Sequence, residues 1–483
     1  MEWQSLEQID LTRRRRLSIL AICCSSLFII GLDVTALNVA LPSLGHELGS
    51  GISGLQWTID AYTVVMASLL MFSGSIADRL GRKRVFLTGL TVFSIGSLLC
   101  GLAWSIEALV AFRVLQAVGA SMLNPVAMSI ITNTFTDPRQ RAQAVGVWGA
   151  VFGISMAVGP ILGGALTTWI DWRAIFFINI PVGLIAIALT LWFIPESKSP
   201  LPRRFDPIGQ LLMVAMLASL TFGIIEAPGH GWTSPLILGA FTTAVAALIG
   251  LITYEPRRRD PLIDLRFFRS IPFSSAIAIS VSALTAFGGF LFLNTLYLQE
   301  ARGYSALQAG LATTPMALMI VVTSPISGRI VGRRGPRGPL VLAGVCFIAG
   351  SAMLTSIGPD TSLAYLLVSY VIMGLAFGSV NAPITNAAVS GMPRAQAGVA
   401  SAVASTSRLV GHTLGVAIVG AIVASSLSGA PGATLSTASH AAWWVLAACG
   451  AVVLALGFVG TSVRAKASAQ VTAAELNPEA LAA

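Results

Sequence analysis

The chain has 483 residues, of which 55% are hydrophobic and only 10% are charged, and its formal net charge is +9. Soluble domains carry about 25% charged residues, so this composition leaves too little polar surface for a protein surrounded by water. The basic residues lie in short segments between apolar runs, which excludes a basic domain of the kind that binds nucleic acid. We therefore expect a membrane protein with no nucleic-acid partner.

About fourteen apolar runs follow one another between Leu17 and Thr461, and each is long enough to cross a bilayer once. A hydrocarbon core of about 30 Å needs roughly 20 apolar residues in a helix. Because the number of crossings is even, both termini lie on the same side of the membrane. The predicted spans are 17–38, 53–75, 85–103, 106–130, 142–167, 174–194, 208–226, 235–254, 273–298, 307–328, 339–357, 362–384, 398–424 and 441–462.

Lysine and arginine concentrate in alternate gaps between these spans, whereas the remaining gaps hold only Arg173 and Arg302. Cytoplasmic loops of membrane proteins carry the excess of basic residues. The pattern predicts a multi-pass protein of the inner (cytoplasmic) membrane with both termini in the cytoplasm. The basic segments are 13–16, 79–84, 139–141, 198–204, 257–269, 329–337, residue 394 and 464–466.

A weak internal repeat divides the chain, because the segment 73–84 after span two resembles the segment 327–337 after span ten. Duplicated bundles around a central cavity are typical of transporters. We expect an all-α fold with a six-helix bundle over residues 1–194 and a second over 273–462. Residues 195–272 then hold two inserted linker helices, and the Ala-rich 463–483 is expected to be a disordered cytoplasmic tail.

Three charged residues fall within predicted spans near their outer ends: Asp33, Asp60 and Arg113. A carboxylate facing lipid costs about 2.5–3.5 kcal/mol, so Asp33 should face the bundle interior. At a rise of 1.5 Å per residue, it would lie roughly 6–9 Å from the outer boundary, with the other two at similar depth. This predicts an ion-pair network in which Asp33 exchanges a proton or engages a cationic substrate; a static structural pair is the alternative. Asn38 is a further polar candidate for the cavity.

Arg408 and His412 lie four residues apart, on one face of span thirteen near its middle. A histidine titrates near neutral pH and could join proton transfer or substrate selection. The simpler interpretation is a neutral histidine that is hydrogen-bonded to a neighbouring helix.

The segment after span two combines fixed glycines, one aspartate and several basic residues. A sharp turn needs glycine where the backbone bends, and Asp78 can cap a helix or pair with a nearby arginine. We interpret it as an inter-helix latch that gates the cytoplasmic side, whereas an ordinary positive-inside loop would explain only the arginines. The latch residues are Gly74, Asp78, Arg79, Gly81, Arg82 and Arg84.

This loop resembles the signature of the major facilitator superfamily, and the segment 113–120 resembles the superfamily's fourth-span motif. The segments 32–42, 149–164 and 172–181 resemble its fourteen-span drug:proton antiporter branch. Arg408 matches a position that this branch often fills with arginine, whereas His412 replaces a small residue. The span-five segment resembles the antiporter motif, which implies export, although close helix packing alone would explain its glycines. Its residues are Gly149, Gly153, Gly159, Pro160, Gly163 and Gly164.

The resemblance implies a transporter that exports small amphipathic or lipophilic compounds, such as antibiotics or toxic drugs, in exchange for protons. The sequence holds no GxxxxGK[ST] nucleotide loop, so we expect the proton gradient to supply the energy, with no cofactor. The cysteines lack metal-ligand spacing, and no metal is expected. We expect a monomer that is not an enzyme. The main alternative is a proton-coupled importer of a nutrient or metabolite; a receptor would need a folded cytoplasmic domain.

Overall fold

The computed structural model describes residues 12–199, 205–258, 261–390, 392, 396–429 and 435–476. Within these ranges the chain is all-α, without a β-strand, as predicted. Short 3-10 helices cover Glu255–Arg257 and Leu265–Arg269, and a π-helix covers Tyr297–Ala301. The α-helices are α1 (Arg13–Leu48), α2 (Ile52–Leu80), α3 (Arg82–Gly101), α4 (Ile106–Thr134), α5 (Pro138–Trp169), α6 (Ala174–Phe177), α7 (Asn179–Phe193), α8 (Pro207–His230), α9 (Pro235–Tyr254), α10 (Ile271–Leu296), α11 (Ala306–Ala312), α12 (Thr314–Arg334), α13 (Arg337–Leu354), α14 (Leu363–Val389), α15 (Ala397–Gly429), α16 (Leu435–Val459) and α17 (Val463–Leu476).

Fourteen helical segments in the described ranges are long and apolar enough to cross a membrane, which confirms the predicted number. Two of them are interrupted: α6 and α7 form the segment Ala174–Phe193, and α11 and α12 form Ala306–Arg334. Several helices begin where a short polar side chain accepts a hydrogen bond from the first turn, which satisfies otherwise unpaired backbone N–H groups. These N-caps are Thr12, Ser105, Asp137, Asp206, Ser234, Ser305 and Ser362.

The internal repeat is visible in matching contacts of the two halves. Ser73 on α2 lies 3.0 Å from Ser121 on α4, Oγ to Oγ. Ser327 on α12 donates to the backbone oxygen of Ser379 on α14 at 2.8 Å. α2, which carries Ser73, ends at Gly81 with φ 117°. α12, which carries Ser327, ends at Gly335 with φ 84°. The repeated segments therefore adopt similar turns, as their sequences predict.

We call the end of the bundle where α1 begins the N-terminal face, and the end where α1 stops at Leu48 the distal face. Hydrogen bonds join the two halves towards the distal face. Gln56 Nε2 on α2 donates to the backbone oxygens of Val416 and Ala417 on α15 at 3.0 and 2.8 Å. Gln299 Nε2 donates to the backbone oxygen of Val39 at 2.7 Å. These contacts close the seam between the halves at the distal face.

Several residues in the parts of α5 and α14 that are nearer the N-terminal face are open to their surroundings. A Cβ built on Gly149 or Gly153 of α5 would meet no atom within 4 Å. Asn381 and Thr385 are exposed on α14, one turn apart. Uncharged polar side chains avoid hydrocarbon when an aqueous alternative exists. Hydrogen bonds thus close the bundle at the distal face, whereas α5 and α14 expose residues nearer the N-terminal face, and we call this the open side of the bundle.

The two inserted helices lie against one side of the bundle. α8 packs on both α2 and α15, and thus touches both halves, whereas α9 packs mainly on α8. Gln210 Nε2 of α8 donates to the backbone oxygen of Ser68 at 2.6 Å, and Trp57 Nε1 donates to Glu226 of α8 at 2.7 Å. Leu217 of α8 joins a small apolar cluster with residues of α2. The insertion is therefore attached by polar and apolar contacts.

The expectation of a disordered tail is wrong over its first part, because Val463–Leu476 forms α17. The backbone N–H of Ile271 donates to Ser468 Oγ at 3.0 Å, and Arg269 forms an ion pair with Glu475 at 2.8 Å. Ala465 and Leu476 are buried. These contacts attach α17 to the beginning of α10. The Ala-rich composition of the segment did not indicate this attachment. Residues 477–483 lie outside the described residues.

The antiporter-motif glycines of α5 fall into two groups. Gly163 lies against α1, where an added Cβ would come within 2.6 Å of the backbone oxygen and 2.8 Å of the Cα of Ala36. Gly164 meets α11 in the same way, with the backbone oxygen of Ala306 at 2.5 Å. Gly159 lies against Thr35 of α1, and Pro160 meets Gly310 of α11. The distal part of the motif therefore permits close helix packing, including across the seam between the halves.

We predict that Gly163→Ala destabilises the protein by about 1–3 kcal/mol, because the new methyl group would collide with the backbone of α1. The matched control is Gly153→Ala, which places the same group in open space. Alanine favours a helix over glycine by up to about 1 kcal/mol, so the control should be neutral or stabilising. Thermal unfolding of the purified chain in detergent measures the difference. Equal unfolding temperatures for the two variants would contradict the packing described for α5.

Candidate functional site

A buried carboxylate lies at the centre of a hydrogen-bonded network in the first half. The side chain of Asp33, on α1, is fully enclosed, and Arg113 Nη1 of α4 donates to its Oδ2 at 2.5 Å. Its Oδ1 accepts from Gln116 Nε2 at 2.9 Å and from Asn179 Nδ2 at 3.2 Å. Such complete pairing is what a buried charge requires.

A second layer of bonds holds these partners in position. Ser97 Oγ of α3 accepts from Gln116 Nε2 at 3.0 Å and from Asn179 Nδ2 at 2.9 Å. Gln116 Oε1 accepts from Arg113 Nη1 at 2.7 Å. Arg113 Nε donates to the backbone oxygen of Thr58 on α2 at 3.1 Å. The network thus connects α1, α2, α3, α4 and α7 through one carboxylate and one guanidinium.

Aromatic rings enclose the guanidinium of Arg113. Its central carbon lies 4.1 Å from the ring centroid of Tyr62 and 5.8 Å from that of Phe176. The face of an aromatic ring attracts a cation, most strongly where water is excluded. Arg113 itself is 1% exposed. The charge pair is therefore shielded from both water and lipid.

The network confirms that Asp33 and Arg113 meet, and α1 extends beyond the predicted end of the first span. The predicted first span ended at residue 38, whereas α1 continues through Pro42 to Leu48 and buries Leu41 and Leu44. Asp33 therefore lies about 22 Å from the distal end of its helix.

Asp60 does not belong to the network, contrary to the expected group of three. Its Oδ1 accepts from Thr63 Oγ1 at 3.5 Å, and Thr63 Oγ1 lies 2.7 Å from Thr413 Oγ1 of α15. Arg113 contacts α2 at Thr58 and Tyr62, one helical turn apart, and Asp60 projects from the opposite side of that turn. Asp60 is fully buried at the seam between α2 and α15.

Asn38 also stays outside the network. Its Nδ2 donates to the backbone oxygen of Val34, one turn earlier in α1, at 2.8 Å. Asn38 is 1% exposed, and its Oδ1 has no hydrogen-bond partner among the described residues. In this conformation Asn38 therefore contacts its own helix rather than a cavity.

Arg408 and His412 lie in the other half, away from Asp33. Arg408 Nη2 donates to Thr385 Oγ1 of α14 at 2.6 Å, and Nη1 donates to Ser405 Oγ at 3.4 Å. His412 is 4% exposed, with its ring centroid 6.2 Å from that of Phe287. Neither ring nitrogen of His412 has a hydrogen-bond partner within the described part of the chain. The interpretation of His412 as hydrogen-bonded to a neighbouring helix is therefore wrong for this conformation.

The loop between α2 and α3 is held against the segment that follows α7. Arg82 Nη2 pairs with Asp78 Oδ1 at 3.0 Å, and Arg84 Nε lies 3.7 Å from Glu196 Oε2. The backbone N–H of Lys83 donates to Glu196 Oε1 at 3.1 Å. A Cβ on Gly81 would come within 2.5 Å of the Glu196 carboxylate, and Gly81 has a φ of 117°. The turn therefore requires glycine both because a side chain has no room and because the backbone is in the positive-φ region. Gly74 lies near Pro125 of α4, and Arg79 lies in the last turn of α2.

Sequence reasoning missed several partners of the charged residues: Ser97, Gln116, Asn179 and Glu196. The first three are uncharged, and such side chains within spans serve so many purposes that composition does not distinguish them. The spacing of Gln116, one turn after Arg113, was the available signal. Glu196 lies directly after predicted span six and beside a basic segment, so an ion pair with a basic residue could have been expected. No group of three or more His, Cys, Asp or Glu that could hold a metal occurs among the described residues.

Comparison with known proteins shows the family to which the chain belongs. A family model described as Major Facilitator Superfamily matches residues 23–416. The chain is 36% identical over 402 residues to the multidrug resistance protein Stp of Mycobacterium tuberculosis, covering 83% of this chain and 75% of that protein. It is 34% identical over 397 residues to the tetracenomycin C resistance and export protein of Streptomyces glaucescens, covering 82% and 74%.

A solved structure shares the fold at low sequence identity. It is the crystal structure of a bacterial homolog of the human lysosomal transporter Spinster, in an inward-facing and unoccupied conformation. It matches with a TM-score of 0.62 and 18% identity, covering 97% of this chain and 99% of that chain.

We predict that Arg113→Gln destabilises the protein by about 3–5 kcal/mol, because it leaves the Asp33 carboxylate buried without its cation. The double variant Asp33→Asn, Arg113→Gln should recover much of this loss, since both charges are then absent. Thermal unfolding of the wild type, of Asp33→Asn and Arg113→Gln singly, and of the double variant gives the coupling energy between the two side chains. A single variant that is as stable as the double variant would show that the pair makes no net electrostatic contribution.

Proposed function

Because the chain belongs to the major facilitator superfamily, we propose that it exports small amphipathic or lipophilic compounds, antibiotics among them, in exchange for protons. Two of its relatives carry resistance in their names, and one of these is also named for export. The fourteen apolar helices make the chain a multi-pass membrane protein. One chain contains both halves of the bundle, which supports a monomer as the working unit.

The observation that carries the proposal is the enclosed Asp33–Arg113 pair. A carboxylate that is ionised in one state and protonated in another can pass energy from a proton gradient to the helices that surround it. Protonation of Asp33 would remove the charge that attracts Arg113 and would weaken the connections from α1 to α4 and α7. In this structure Arg113 Nη1 lies 2.5 Å from Asp33 Oδ2.

The proposed orientation follows from the basic residues, which lie near the N-terminal face and mark it as the cytoplasmic side. The open end of the bundle then faces the cytoplasm, and the contacts of Gln56 and Gln299 close the outer side. In this state a compound from the cytoplasm or the inner leaflet would enter the cavity. Proton binding to Asp33 from outside would accompany the return from the outward-facing state.

The proton gradient is the proposed energy source, and no cofactor takes part. Each positive charge that moves inward gains about 2.3 kcal/mol per 100 mV of membrane potential. The alternative is a proton-coupled importer on the same fold. The names of the relatives favour export, and counterflow in inverted vesicles measures the direction of transport independently.

We predict that Asp33→Asn lowers proton-driven export at least tenfold, because the amide keeps the shape of the carboxylate but cannot exchange a proton. Drug susceptibility in an efflux-deficient host, with and without an uncoupler, measures the effect. The variant should confer no more resistance than the uncoupled wild type.

The matched control is Glu300→Gln, which neutralises an acid that pairs with His46 at 2.9 Å outside the buried network. This control should retain export at a similar amount of protein in the membrane. Full resistance conferred by Asp33→Asn would refute the role of Asp33, whereas equal losses in both variants would point to a general effect of charge.

A further inference from the structure

We infer that Arg408 forms an anion-binding subsite in the cavity, so that the exported compounds carry an acidic oxygen group such as a carboxylate, sulfonate or phenolate. This inference rests on the proposed function and specifies its substrate class. It starts from a contrast between two arginines inside the bundle. Arg113 is neutralised by Asp33, whereas Arg408 forms no ion pair with any described residue.

The hydrogen bonds of Arg408 do not use all of its accessible N–H donors. The group has five N–H donors, and the structure uses one on Nη2 for Thr385 and one on Nη1 for Ser405. The Nε–H is buried without a partner among the described residues. One N–H on Nη1 and one on Nη2 therefore remain for a ligand, and two N–H groups of a planar guanidinium can bind a carboxylate or sulfonate through parallel hydrogen bonds.

The position of Arg408 indicates a cavity rather than lipid. A charged side chain that faces hydrocarbon is costly, so an arginine in a spanning helix faces the bundle interior or water. Arg408 lies roughly 16 Å along α15 from its start at Ala397, and it is only partly buried. Its partner Thr385 is exposed, as is Asn381 one turn away on α14. Arg408, Thr385 and Asn381 thus form a polar patch on the open side of the bundle, in which Thr385 Oγ1 donates to the backbone oxygen of Asn381 at 3.1 Å and Arg408 supplies the positive charge.

The acids of the bundle do not counter this patch. Asp33 is enclosed and fully paired in the first half, and Asp60 is buried beside Thr63 at the α2–α15 seam. In the open conformation neither carboxylate is exposed to a cationic compound that enters the cavity. A cation would instead approach Arg408 and be repelled, whereas an anion would be attracted and bound.

Binding of three probes with one skeleton tests this subsite: pyrenebutyrate as the anion, its methyl ester as the neutral form, and a pyrenebutyl trimethylammonium salt as the cation. Energy transfer from tryptophan to pyrene in the purified full chain gives each Kd at low salt. We expect wild-type protein to bind the anion at least tenfold more tightly than the cation. Arg408→Gln should weaken binding of the anion at least tenfold and leave the Kd of the ester unchanged.

Arg337→Gln is the matched control, because it removes the same charge from an exposed arginine at the N-terminal face. It should leave the Kd of the anion unchanged. Arg408→Lys keeps the charge without the fork and should give an intermediate loss, and it decides the question if Arg408→Gln does not fold. Equal loss of the anion and the ester would indicate a structural role and overturn the subsite.

The outcomes also separate this inference from the proposed function. No preference of the wild type for the anion, or no binding of the anion at all, would overturn the subsite. Proton-driven export of neutral or cationic drugs would then still support the exporter. Selective anion binding through Arg408 in a protein that exports nothing would support the subsite and refute the exporter.

Discussion

The ion pair between Asp33 and Arg113 is the constraint on which the first half of the bundle depends. Two opposite charges far from water are tolerated only when every lone pair and N–H group finds a partner. The chain meets this demand with side chains from α3, α4 and α7, together with a backbone oxygen of α2. These helices are therefore held in one arrangement by polar contacts as well as by packing. In the proposed function, protonation of Asp33 would weaken these contacts.

The two halves share an architecture but differ in their charges. Equivalent serines connect α2 to α4 and α12 to α14, yet the second half has no counterpart of the buried acid–arginine pair in its described residues. It carries Arg408 beside exposed polar groups instead. In these proposals, Asp33 of the first half binds the proton, and Arg408 of the second half recognises the exported compound. Such a division requires the halves to communicate only through the seam that they share.

The sequence was sufficient for the number of helices, because an apolar run of bilayer length allows few alternatives. It was also sufficient for the Asp33–Arg113 pair, since charges within spans must find each other. It did not reveal the true length of α1, because Pro42 continues the helix where proline commonly ends one. It grouped Asp60 with Arg113 by depth alone, and depth does not say which side of α2 a residue occupies. The contacts of Glu196 and α17 depend on tertiary packing that local composition does not encode.

The inserted helix α8 lies across the seam between α2 and α15 and is bonded to the first half through Gln210 and Glu226. On this flank the seam is covered by protein, so a lipid-dissolved molecule has no direct path there from the bilayer. The opposite flank, where α5 meets α12, carries no such cover among the described helices. A fourteen-helix bundle of this kind is therefore asymmetric, because the inserted helices cover the flank where α2 meets α15 and leave the opposite flank without such a cover.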